Sequence, residues 1–407
     1  MSELADEPSE QVAGRSRTYL DAGSTEPLRP VARDTLLAAL DQGWADPLRL
    51  HSEARRARMM YDNAREAVAA VLGCRPDEVS FTSSGTTAVH TGLVGLLRRP
   101  GVRLLHSAVE HSSVLHVARQ HAGGGGAVVP LEVARDGSLD PTVLVAALDA
   151  ALDEGDGGDS GDGGDGDGGR DQVVAVQAAN LESGAVHPAD EIAEACAAAG
   201  ARWFVDAAAI VGRVPMPSGW SVAAASAHKW GGPAGVGVLA IRRGARWRAH
   251  GVADERLDPR SPGYENVPAA VAAAAALQEM WSDAADRAAR QRALRDRLRA
   301  RIATIPDVEL IGPEDAGLPH VVAASFLYVD GEVLVTELDR RGFAVASGSA
   351  CTASSLEPSH VLAAMGVLTH GNVRVSLTAD SAERDVDAFA DALADVVATT
   401  RERLGPL

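Results

Sequence analysis

The sequence predicts an α/β protein with a large domain on a mostly parallel sheet and a smaller α+β domain after it. Three observations carry this. Strand-like and helical segments alternate from residue 62 to residue 241, the pattern of parallel strands joined by crossover helices. A Pro-rich stretch, Leu257 to Pro268, then breaks the rhythm. Finally, 407 residues exceed what one ordinary core holds.

The elements follow in order. Asp62 to Leu72 reads as a helix and Glu78 to Phe81 as a short strand. Thr86 to Leu97 is helical after a Ser/Gly/Thr turn. Strands are expected at Val102–His106, Ala127–Leu131, Val173–Gln177, Arg202–Val205, Val222–Ala225 and Val236–Ile241. Helices are expected at Ser113–His121, Pro141–Ala151 and Ala189–Ala199. Beyond the Pro-rich stretch one long helix is expected from Ala269 to about Ile305. Strands at Val321–Tyr328, Phe343–Ala346 and Val373–Leu377 then alternate with helices at Glu332–Arg341, Ser359–Met365 and Ala382–Arg403. The expected organisation is a disordered tail over 1–17, a large domain over 18–256 and a small domain over 257–407. Residues 153–171 form an Asp/Gly-rich tract with eight acidic residues against Arg170. From Gly155 to Gly169 it has no apolar residue and cannot repay its ordering entropy by burial, so a mobile insertion is expected.

Composition narrows the function. Net charge is −18, which disfavours nucleic acid as a partner. No run of 18 uncharged apolar residues predicts a membrane span. Three distant cysteines, Cys74, Cys196 and Cys351, argue against a disulfide framework and for a reducing, cytoplasmic setting. Without a Cys-x-x-Cys pair no metal site is expected.

The chemistry centres on Ser226-Ala-His-Lys229. A lysine there, 23 residues after Asp206 at the end of a strand, suggests an amine that forms a Schiff base with pyridoxal 5′-phosphate (PLP), with the carboxylate on the pyridine nitrogen. Taken alone, Lys229 reads as a surface lysine and Asp206 as a helix cap. The turn from Phe81 to Thr87, with Gly85 and Thr86, joins a strand to a helix and forms an anion site suited to phosphate. His111 follows a strand where ligands bind in open α/β sheets. Cys351 sits among Ser347-Gly-Ser-Ala and Thr-Ala-Ser-Ser, small residues that suit an accessible nucleophile. Arg374, within an apolar strand, suggests a carboxylate clamp.

These stretches resemble the cysteine desulfurases of the class-V aminotransferase superfamily, in the group with the long catalytic loop. The matching segments are Tyr19-Leu-Asp21, Phe81 to Thr86, Glu110-His111, Ala179-Asn180 with Glu182 and Gly184, Val205-Asp206, Ser226 to Lys229, Gly232-Pro233 with Gly235 and Gly237, Arg260 through Gly263 to Val267, and Ser347 to Thr352 with Leu356-Glu-Pro-Ser-His-Val-Leu. The resemblance implies a fold-type I PLP enzyme, aspartate aminotransferase-like, with a mainly parallel seven-stranded sheet and a homodimer. Lys229 would carry the coenzyme and move the Cα proton. Asp206 would hold the pyridinium and His111 stack on the ring. Gly85, Thr86, Ser226 and His228 would hold the phosphate, with Tyr264 standing where the family has a threonine that reaches across a dimer. Asn180 and Arg374 would bind the carboxylate of L-cysteine. Cys351 would take its sulfur as a persulfide for an acceptor protein or small-molecule pathway.

The chain departs from the family at Ala209, where a glutamine is usual, and at Leu181, which replaces an asparagine. These changes point to a specialised desulfurase serving a dedicated sulfur-transfer route. The alternatives are a selenocysteine lyase or another class-V activity, and a degenerate scaffold without turnover. Colour separates the last, since a scaffold without coenzyme is colourless.

Overall fold

The computed structural model describes residues 17–153, 171–251, 254, 257–347 and 358–404. Residues 1–16 of the expected tail, residues 154–170 of the Asp/Gly tract and Cys351 lie outside the described residues. Asp171 does not behave as part of an insertion. It is buried and accepts a 2.6 Å hydrogen bond from Arg202.

The described chain begins with β1 (Thr18–Tyr19), α1 (Pro30–Gln42) and α2 (Ser52–Leu72). The alternating part then runs β2 (Val79–Thr82), α3 (Gly85–Leu97), β3 (Arg103–Ser107), α4 (Ser112–Gly123), β4 (Val128–Leu131), α5 (Pro141–Asp153), β5 (Gln172–Ala175), α6 (Ala189–Ala198), β6 (Arg202–Asp206), β7 (Val222–Ser226) and β8 (Gly237–Ile241). These seven strands form one sheet in the order β2-β8-β7-β6-β5-β3-β4. The pairs β7/β6, β6/β5, β5/β3 and β3/β4 are parallel, while β8 is antiparallel to both neighbours. Strands β3, β5, β6 and β7 are buried almost throughout, as a sheet covered on both faces requires.

The expected single helix after residue 269 is two: α7 (Val267–Ser282) and α8 (Ala284–Ile302). Asp283 between them has φ −121° and ψ 16°. Arg287 stabilises the break. Its guanidinium pairs with Asp283, donates to the Met280 carbonyl freed at the end of α7, and reaches the Gly212 carbonyl at 2.8 Å. Buried helix-end carbonyls need such partners.

The rest comprises β9 (Val308–Ile311), β10 (Val321–Phe326), α9 (Gly331–Arg340), β11 (Phe343–Ala344), α10 (His360–Met365), β12 (Asn372–Ser376) and α11 (Glu383–Leu404). Strands β12, β10 and β9 make an antiparallel sheet in that order. The apolar cores divide the chain differently from the expected limit at 257. The buried alanines of α7, with Leu277 and Met280, belong to the core of the large sheet, whereas Leu294 and Leu298 of α8 belong to the second core. Leu20, just beyond β1, is also in the second core because β1 pairs in parallel with β11.

Candidate active site

A cavity of about 330 Å³ lies where β2, β3, β5, β6 and β7 end, closed on the far side by Arg374 of β12 and the start of α10. Loops leaving the carboxyl ends of parallel strands build binding sites in such sheets. Lys229, Asp206, His111, Gly85, Thr86, Ser226, His228, Asn180 and Arg374 all line it.

The 3₁₀ turn Ala227–Trp230 after β7 places Lys229 in the cavity. Its Nζ donates to the Gly23 carbonyl at 2.5 Å. Asp206 closes β6, and one carboxylate oxygen accepts from the Ala208 amide at 3.0 Å. His111 caps α4: its Nδ1 faces the Ser113 hydroxyl at 2.7 Å and the Ser113 amide at 3.2 Å. Burial lowers the His111 pKa below its usual value, against the opposing field of Asp206, and Lys229 lowers it further. A neutral ring with an apolar face is therefore favoured.

At the N-terminus of α3, Ser84 accepts from the Thr87 amide at 3.0 Å. Gly85 and Thr86 follow on the cavity wall, opposite Ser226 and His228, whose side chains meet at 2.9 Å. A methyl group on Gly85 would come within 2.7 Å of the Ser226 Cβ. Only glycine leaves this cradle open, and helix-end amides with flanking hydroxyls suit a phosphate. Burial, then the Lys229 charge, lowers the His228 pKa.

The opposite wall is organised around Arg374. Arg374 is buried, and its Nη2 donates to Asp21 at 2.7 Å and to Ser24 at 2.6 Å. Its Nε is buried without a hydrogen-bond partner, a cost that an incoming acceptor would relieve. Asn180 is more constrained than the sequence implies. Its Oδ1 accepts from the Glu182 and Ser183 amides at 2.8 and 2.9 Å, and its Nδ2 donates to the Val109 carbonyl at 2.9 Å. It shapes the turn that ends at Gly184, where φ is +77°, and offers a ligand at most its second amide hydrogen.

Tyr264 does not line this cavity. It is 65% exposed, its hydroxyl donates to the Trp44 carbonyl at 3.2 Å, and it borders a separate space of about 680 Å³ with Thr82, Ser83 and Thr87. Sequence reasoning gave no roles to Asp21, Ser24, Gln177 or the carboxyls of Glu110 and Glu182. Glu110 is fully buried; its Oε1 accepts from the Gln177 amide at 2.7 Å and its Oε2 has no partner. Burial raises its pKa well above the usual carboxylate range. The pKa of Glu182 is raised by burial too, against a hydrogen bond from Ser359. Glu110 and Glu182 stand inside motifs that carry the family resemblance, which is the signal the sequence offers. Asp21 is 353 residues from its arginine, so no local pattern reveals the pair.

No helix among the described residues is long and apolar enough to cross a membrane. No cluster of three or more His, Cys, Asp or Glu among them is placed to hold a metal.

The class-V aminotransferase family model matches residues 18–154 and 168–389. A cysteine desulfurase of Trichormus azollae is 33% identical over 394 residues, covering 94% of this chain and 93% of that protein. An IscS-like cysteine desulfurase of Mycobacterium tuberculosis is 36% identical over 403 residues, covering 94% of this chain and 97% of its own length. Among solved structures, a NifS-like protein superposes with a TM-score of 0.81 at 26% identity, covering 94% of this chain and 100% of that one. Cavity, sheet and relatives agree: the chain belongs to the class-V aminotransferase family, among its cysteine desulfurases.

Proposed function

We propose that the protein is a PLP-dependent cysteine desulfurase: L-cysteine and the Cys351 thiol are converted to L-alanine and a Cys351 persulfide. The observation that carries this is one cavity holding an amine (Lys229), an acid at a strand end (Asp206), a phosphate cradle (Gly85, Thr86, Ser226, His228) and a carboxylate clamp (Arg374).

PLP fits these residues. Lys229 would attach it, Asp206 face its pyridine nitrogen, His111 its ring, and the cradle its phosphate. When bound, the coenzyme supplies an electron sink that labilises bonds at the substrate Cα and Cβ. The chain's own groups do the rest. Arg374 Nε receives the substrate carboxylate and fixes the amino acid's orientation. The Lys229 amine moves a proton at Cα. The Cys351 thiolate attacks the substrate sulfur: an S–S bond forms, the Cβ–S bond breaks, and the Cβ left with that electron pair takes up a proton, giving alanine.

Alanine counting and mass spectrometry of the protein after exposure to L-cysteine test the reading. One added sulfur on Cys351 for each alanine in a single turnover is expected. Cys351→Ser should keep the bound coenzyme and lose the persulfide. Wild-type rates of alanine formation in Cys351→Ser would overturn the assignment of the nucleophile.

We further propose a homodimer. Support comes from the exposed Trp44 and Tyr264 beside the larger cavity, which backs onto the phosphate turn. A single-chain mass in sedimentation would refute it. The two described free cysteines, Cys74 and Cys196, fit a cytoplasmic location, which fractionation tests. A dedicated sulfur acceptor suits the apolar Leu181 and Ala209 in the cavity wall. Equal sulfur delivery to a general iron–sulfur scaffold would count against it.

A further inference from the structure

We propose that Glu182 and His360 are positioning residues for sulfur transfer: they clamp the start of α10 onto the cavity wall and fix the point from which the chain leads back to Cys351. This rests on the desulfurase reading. It adds a role for two cavity-lining groups to which that reading assigns none.

The clamp has two points. Ser359 Oγ donates to Glu182 Oε2 at 2.6 Å, and His360 Nε2 faces the Glu110 carbonyl at 2.9 Å. That carbonyl has no proton to give, so the ring nitrogen is the donor. Both contacts line the cavity. Each partner segment is itself fixed. The turn bearing Glu182 is held by Asn180 Oδ1. The Val109–His111 segment is held by Asn180 Nδ2 and by Gln177 Nε2, which donates to the Val109 carbonyl at 2.5 Å. Val361, Leu362 and Met365 of α10 pack with Val109.

Helix capping alone does not account for these bonds. Ser359 caps α10 as an acceptor, receiving the Leu362 amide at 3.3 Å, and capping makes no use of its hydroxyl proton. That proton goes to Glu182. His360 adds a bond that no cap requires.

Ser359 lies eight residues beyond Cys351. The upstream end is also fastened beside the cavity: Ala346 and Arg374 exchange backbone hydrogen bonds of 2.7 and 3.2 Å. The described chain on either side of Cys351 is therefore fastened at two points on the same cavity. Loosening one degrades the alignment of a reaction that depends on placement, where an error of about 1 Å costs up to roughly a hundredfold.

The test uses the full-length, coenzyme-loaded protein and the variants Glu182→Ala, Glu182→Gln and His360→Ala. The expected result for Glu182→Ala and His360→Ala is a fall in kcat of between roughly tenfold and a hundredfold. KM for L-cysteine and coenzyme content should stay at wild-type values. Glu182→Gln keeps an oxygen acceptor and should recover most of the rate. Amide hydrogen exchange over residues 361–365 should be faster in both alanine variants and restored in Glu182→Gln. Wild-type kcat in either alanine variant, coenzyme loss in step with kcat, or a Gln variant as slow as Ala would overturn the clamp. If the wild-type protein forms no alanine, the desulfurase reading falls instead. Exchange over residues 361–365 then decides the clamp alone: no difference between wild type and the alanine variants refutes it.

Discussion

Replacing Gly85 by alanine tests the phosphate cradle with a single methyl group. The new Cβ would sit 2.7 Å from the Ser226 Cβ, 3.0 Å from its Oγ and 3.4 Å from the Ala225 carbonyl oxygen. Ser226 belongs to a buried central strand and cannot swing aside freely. Either the start of α3 or the end of β7 shifts, and both carry cradle groups. Overpacking of this kind costs about 1–3 kcal/mol. Where that strain falls on the bound form, PLP affinity drops by roughly five- to 150-fold. The same contact exists without coenzyme, so the coenzyme-free protein should also lose melting temperature, offset in part by the better helix propensity of alanine. Coenzyme titration followed by absorbance, with thermal unfolding of the coenzyme-free protein, reads both. Affinity within twofold of wild type would refute the placement of phosphate at Gly85.

Two further outcomes follow from buried charge. His187 is buried, its Nδ1 accepts from the Leu139 amide at 3.2 Å, and burial holds its pKa at about 4. The unfolded chain takes up this proton near pH 6.5 and the folded one near 4. The contribution to stability is therefore complete above about 6.5 and lost as pH falls through that window, at about 3 kcal/mol in full. His187→Gln should flatten the urea-measured stability slope between those pH values, and an unchanged slope refutes the reasoning. Glu26 and Arg213 form a 2.8 Å ion pair with both side chains 3% exposed. Glu26→Ala should cost about 3–5 kcal/mol in denaturant unfolding, and a loss under 1 kcal/mol would show that water or another acceptor replaces the carboxylate.

Most strands of the large sheet were legible because buried parallel strands are short apolar runs between helices. Three structural facts were not. The reversed direction of β8 leaves no mark on periodicity, because Gly237–Ile241 is as apolar as its neighbours. Helix α1 escaped detection because only Ala32 and Ala39 of it are buried, while Leu37 and Leu40 are about half exposed. The break at Asp283 depends on Arg287 reaching across to Gly212, a tertiary contact. In the site, residues within short motifs were legible, since Asp206 ends a strand and Lys229 and His111 follow strand ends within a few residues. Asn180 read as a ligand because the sequence hides which backbone amides its oxygen meets. The clamp on Arg374 needed Asp21 and Ser24, which only the fold brings near.

The segment from Thr18 to Glu26 joins the two cores. It pairs with Phe343–Ala344, meets Arg374 through Asp21 and Ser24, reaches Lys229 through Gly23, and binds Arg213 and the Ala379 amide through Glu26. A ribosome makes this stretch more than three hundred residues before its partners at 343–379. The large sheet has all its strands well before then, but the lysine pocket waits for the far end of the chain. Nascent polypeptide halted before residue 379 should thus hold a formed sheet and an unfinished catalytic chamber.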